Sequence, residues 1–113
     1  MIKLEQFIKN SPSLANVPYF LTRVGYLSSS QALQYLRTGQ ISELELGMDP
    51  TPEELSAEYY KRLAEQRPTA KIFIIGREVT FQQAAEEIRK GTDVGRQLVS
   101  SHQILLEEMK RRM

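Results

Sequence analysis

A chain of 113 residues, 41% hydrophobic and 26% charged, can bury one core, so a single domain over residues 1–113 is expected and wholesale disorder is not. Its net charge of +1 argues against a dedicated polyanion binder, and the lack of cysteine excludes disulfides, thiolate chemistry and thiol-rich metal sites. No run approaches the roughly 18 apolar residues of a membrane span, and Glu5 falls where a signal peptide would be apolar, so a soluble, cytoplasmic protein is expected.

Charge is unevenly distributed along the chain. Residues 1–40 hold four bases and one acid, residues 41–60 six acids and no base, and residues 61–113 eleven bases and seven acids. The acidic middle reads as a solvated helix start that favours carboxylates, with attraction of a basic partner or of the basic tail as the alternative.

The first forty residues read as short helices. Leu4, Phe7 and Ile8 give one apolar face, ended by the turn formers Asn10-Ser11-Pro12-Ser13. Asn16 caps a predicted second helix with Pro18 in its first turn and Tyr19, Phe20 and Val24 as its anchors. Ser28-Ser29-Ser30 caps a third, with Ala32, Leu33 and Leu36 at helical spacing and Gly39 at its left-handed end. Ile41 to Leu46 alternates over too short a span to separate an edge strand from a helical turn, and Gly47-Met48-Asp49-Pro50 reads as a loop.

Thr51-Pro52-Glu53-Glu54 is the clearest local signal, a capping box that starts a helix running to about Gln66. Lys71 to Ile75 is the one convincing strand, and a Gly76-Arg77 turn would make Glu78-Val79 its return. Thr80 and Gln83 form a second capping box. Basic residues, Gly91 and a fresh cap at Thr92 then favour a break before a last helix from Asp93 to about Arg112, over one kinked helix. The run Ile72–Ile88 resembles the opening of small ubiquitin-like folds, but the later strands of those folds are missing and no family follows. No internal repeat is evident. The expected class is mainly α with a small β element: short N-terminal helices, one capped central helix, a short strand or hairpin, and a C-terminal helical segment.

From Phe81 to Met109, apolar or small residues recur three and four apart, the seam of a helix built to lie against another helix. The partner lies in the same chain or in a second copy. A lone strand also needs a covered or paired edge. Self-association through both features is therefore the expectation, with Ile72, Ile74, Ile75, Leu98, His102, Leu105 and Met109 at the interface of a homodimer or adaptor. His102, the only histidine, reads as a neutral packed ring rather than a pH-sensitive contact or metal ligand.

Tyr59-Tyr60-Lys61-Arg62 reads as core plus solvated face rather than a nucleic-acid surface. A helix-turn-helix over Ser28–Leu46 would present Glu43 and Glu45 to DNA, which argues against it. The alternative function is a nucleic-acid-associated regulator using Arg89, Lys90, Arg96, Lys110, Arg111 and Arg112. No nucleophile elbow, phosphate loop, His-Glu-x-x-His or dinucleotide fingerprint occurs. No enzyme activity, catalytic residue, metal or cofactor is expected.

Overall fold

The computed structural model describes residues 2–47 and 50–113. Among them are five α-helices and two antiparallel hairpins, the mainly α arrangement with a small β element that the sequence predicts. The order is α1 (Ile2–Asn10), β1 (Pro18–Thr22), β2 (Gly25–Ser28), α2 (Ser29–Arg37), α3 (Pro52–Gln66), β3 (Lys71–Ile74), β4 (Arg77–Thr80), α4 (Phe81–Lys90) and α5 (Asp93–Arg112). Short 3-10 segments occupy Pro12–Leu14 and Glu43–Gly47. Met48 and Asp49 of the expected loop lie outside the described residues. No helix among the described residues is long and apolar enough to cross a membrane.

Capping chemistry places the helix starts where the sequence puts them. Gln31 N donates to Ser28 Oγ, Glu54 N to Thr51 Oγ1 and Gln83 N to Thr80 Oγ1, at 3.3, 3.2 and 3.1 Å. In each case the third-residue side chain accepts from the capping residue's own N–H, completing the box. Gly91 ends α4 in the left-handed conformation (φ 69°), and Thr92 Oγ1 accepts from Gly95 N to start α5. The interrupted reading of the C-terminal segment is therefore correct.

Two local expectations are corrected and one open alternative is resolved. The second helix does not form: Pro18–Thr22 is a strand paired with Gly25–Ser28. Tyr19, Phe20, Leu21 and Thr22 are all strand formers, Gly25 (φ 110°) breaks any helical window, and proline is tolerated as a strand's first residue. Of the two alternatives open for Ile41–Leu46, the helical turn is the one that forms, as a 3-10 turn over Glu43–Gly47. The second hairpin turns one residue earlier than expected, at Ile75-Gly76, and this register sets Ile72 opposite Val79.

The chain divides into two compact units, Met1–Pro50 with Glu107–Met113, and Thr51–Leu106. In the first, Leu4 of α1 joins Phe20, Leu27, Ala32, Leu33 and Ile41 in one buried cluster, with Leu46 and Met113 packed at its margin. In the second, Ala57 of α3 joins Val79, Ala84, Ile88, Val94 and Leu98, with Ile72 and Ile74 packed against them.

The units contain the same motif, which overturns the expectation of no internal repeat. A hairpin runs through a capping box into a helix that ends at a left-handed glycine, and from Phe20 onward equivalent residues stand fifty-two positions apart, the irregularity between Pro18 and Phe20 being peculiar to the first hairpin. The pairs Phe20↔Leu27, Leu21↔Tyr26 and Thr22↔Gly25 correspond to Ile72↔Val79, Phe73↔Glu78 and Ile74↔Arg77. Ser28 and Gln31 correspond to Thr80 and Gln83. At the helix ends, Gln40 N donates to Tyr35 O and Gly39 N to Leu36 O, as Thr92 N does to Glu87 O and Gly91 N to Ile88 O. Both are Schellman closures around glycines of positive φ. In both motifs a helix precedes the hairpin, α1 in one and α3 in the other.

Candidate functional site: the open hairpin of the second unit

The alternation of β3 sorts its side chains onto two faces. Ile72 and Ile74 pack against the second cluster, so these two predicted interface residues belong to the core margin of their own unit. Phe73 lies between them on the other face and is 75% exposed, and Ile75 at the turn is 57% exposed. Sequence reasoning takes the strand Ile72 to Ile75 as interface and names its isoleucines, without separating out Phe73, which strict alternation sets apart from Ile72 and Ile74.

Among the described residues β3 has β4 as its single strand partner. The closing pair of a two-residue turn exchanges hydrogen bonds, so Ile74 and Ile72 direct their backbone groups to β4. The N–H and C=O groups of Lys71 and Phe73 then point to the free edge, a template for another extended chain. On the face of Phe73 stand Lys71 and the cross-strand neighbour Glu78, both exposed, whereas Arg77, also exposed, is paired with Ile74 and shares that residue's face. Lys71 approaches Glu78 at 4.0 Å and Arg77 approaches Glu87 at 3.9 Å, loose pairs of the kind worth little in water.

The turn stores backbone strain. Ile75 has φ 49° and is the one non-glycine residue with positive φ among those described. With Gly76 at φ 71° the turn is of the type needing positive φ at both centres, where Asn-Gly is the favoured pair. A β-branched residue there is unfavourable, and it also presents an apolar side chain to solvent.

The remaining predicted interface residues are placed otherwise. Leu98, His102 and Met109 are buried by the chain itself and Leu105 is half-buried, so the helical seam is satisfied within the chain. His102 stacks on Tyr59 of α3, and burial lowers its pKa to about 4, which keeps the ring neutral. Its Nε2 is buried with no hydrogen-bond partner among the described residues, as are the hydroxyls of Ser29 and Ser56. Tyr60 stacks on Phe81, and desolvation, followed by the charge of Tyr59, raises its pKa.

The six predicted nucleic-acid contacts do not form one group. Arg89, Lys90 and Arg96 belong to the second unit, and Lys110, Arg111 and Arg112 to the first. All are exposed. Arg96 pairs with Asp93 and donates to Gly91 O, while Arg111 and Arg112 both pair with Glu108 at 2.6 Å. Those two arginines hold the Glu108 carboxyl below its ordinary pKa. Arg112 also donates to the buried Ser11 hydroxyl at 2.9 Å.

No protein-family model, curated protein or solved structure matches the chain.

Proposed function

We propose that this chain is a protein-binding module of adaptor type and that its contact face is the β3–β4 hairpin. The observation that carries the reading is Phe73, an aromatic side chain 75% exposed beside the free edge of a two-stranded sheet. Aromatic anchors on such faces dominate association energies, because they bring large apolar area at small entropic cost. Main-chain pairing along β3 would add register, and the strained, apolar turn at Ile75 extends the same surface.

A second copy is one partner that such an edge accepts, through antiparallel pairing of β3 with its counterpart. The seam of α5 takes no part in this reading, since the chain already buries it. Nor do the basic residues of the C-terminal half, of which Arg96, Arg111 and Arg112 are engaged with neighbouring carboxylates.

Light scattering after size exclusion, over a dilution series, tests self-association, and cross-linking to added partners tests the rest. Phe73→Ser should abolish either interaction while the circular dichroism spectrum and melting temperature stay unchanged, because the ring contributes little to the core. Association that survives Phe73→Ser would move the contact face elsewhere.

A further inference from the structure

A cleft of about 320 Å³ lies within the first unit, between one face of α1 and the end of α5. Lys3, Gln6, Phe7 and Asn10 stand three and four apart along α1, so the helix turns all four to the same side. Ser11, Arg112 and Met113 complete the lining. Ser11 is only 4% exposed, and its Oγ accepts from Arg112 Nη1 at 2.9 Å. The hydroxyl's own proton then has no acceptor among the described residues, an expensive state for a buried donor. Glu108 accepts from Arg112 Nε at 2.6 Å, so the guanidinium is held on two sides. Two of its five N–H groups are thereby used, and the other three have no partner among the described residues.

The cleft is therefore rich in donors and short of acceptors. Lys3 pairs with no carboxylate among the described residues, and no acidic side chain lines the cleft. Glu5, on the same helix, is drawn to Arg37 at 3.1 Å, and Glu108 is divided between Arg111 and Arg112. Counted over side chains, Lys3, Arg111 and Arg112 carry three positive charges against one negative charge on Glu108, an excess of two. A phosphate monoester carries about −1.5 to −2 at neutral pH and offers three acceptor oxygens, which suits that excess and those free donors. A guanidinium already fixed in place also matches phosphate oxygens without losing further side-chain freedom. We propose that this cleft binds the phosphate monoester of a small organic molecule. Lys3, the free N–H groups of Arg112 and the Ser11 hydroxyl meet the phosphate, and Phe7 and Met113 supply an apolar wall for the organic part. The site is independent of the hairpin and of its role as a contact face.

Phenyl phosphate is the probe, titrated into the full chain and followed in proton–nitrogen correlation spectra, with inorganic phosphate and benzyl alcohol as comparisons. The expected result is saturable shifts confined to the amides of residues 3–11 and 108–113, with affinity that weakens as salt is raised. Lys3→Gln and Ser11→Ala should each lower that affinity about tenfold. Lys3 is exposed and unpaired, so Lys3→Gln should leave the melting temperature unchanged, and its effect on binding is free of any effect on folding. Benzyl alcohol bound as tightly as phenyl phosphate would reduce the cleft to an apolar contact and overturn the ligand class. Inorganic phosphate bound as tightly would deny Phe7 and Met113 any part and leave an adventitious ion only. Shifts elsewhere in the chain, affinity indifferent to both variants, or no saturation by any of the three compounds would each remove the site.

Discussion

Tyr59 and His102 stack face to face across α3 and α5, their ring centroids 4.6 Å apart and their planes 24° from parallel. The stack uses an imidazole that must stay uncharged, since a charged ring would sit desolvated with its Nε2 unpaired among the described residues.

That requirement gives a pH dependence with a definite sign. The folded pKa of about 4 lies below the ordinary 6.5, so the unfolded chain binds the extra proton between those values. Stability from this group is complete above pH 6.5 and is lost as pH falls through 6.5 toward 4. Between pH 7 and 4.5 the loss should be about 2 kcal/mol. His102→Phe keeps the stack and removes the titration. Urea melts of both proteins across that range should diverge by this amount, and parallel curves would show that His102 is protonated in the folded state without cost.

Gly91 and Gly95 should respond differently to alanine. At Gly91 the added methyl meets open space, and only the left-handed backbone resists it, a cost of about 1 kcal/mol. At Gly95 it would press into the backbone of Glu87 and Ile88, where α5 starts against the end of α4. Backbone cannot swing aside, so Gly95→Ala should cost about 3 kcal/mol. Thermal denaturation that ranks the two in the opposite order would mean that α5 is not held at this distance.

Ser28→Ala and Thr80→Ala remove the same capping interaction from the two copies of the motif. Each should cost about 1 kcal/mol. A double variant whose loss is the sum of the two would show that the boxes act independently within their units.

Ile75→Asn should raise stability, by about 1 kcal/mol, because asparagine accepts positive φ where a β-branched side chain resists it. The same variant should weaken the association that light scattering or cross-linking reads for the parent. Stabilisation without loss of binding would assign Ile75 no share in the contact face.

What was legible in the sequence was local and chemically explicit. Thr51, Thr80 and Gly91 carry their roles in their own neighbourhood, so α3, α4 and the break before α5 could be read directly. β1 could not, because Pro18 after Asn16 satisfies a helix start as well as a strand start, and only the pairing partner Gly25–Ser28 decides between them. The repeat escaped notice for a related reason. Over the matched span only Gln31, Ala32, Arg37 and Gly39 recur unchanged, as Gln83, Ala84, Arg89 and Gly91, while core positions such as Leu27 and Leu36 keep apolar character rather than identity, as Val79 and Ile88. The seam was correctly seen as a packing stripe, but whether its partner lay within the chain is a tertiary fact that periodicity does not contain.

The membership of Glu107–Met113 in the first unit orders events during synthesis. The second unit is one uninterrupted stretch, Thr51–Leu106, and can close on itself as soon as it is made. The first unit, although translated earlier, must wait for contacts such as that between Ser11 and Arg112, more than a hundred residues apart, and for Met113 at the margin of its core. Long loop closure slows such contacts relative to local ones. A hydrogen-exchange pulse early in refolding should therefore protect the amides of α3 and α4 before those of α1, so that the half of the protein made first is the half finished last.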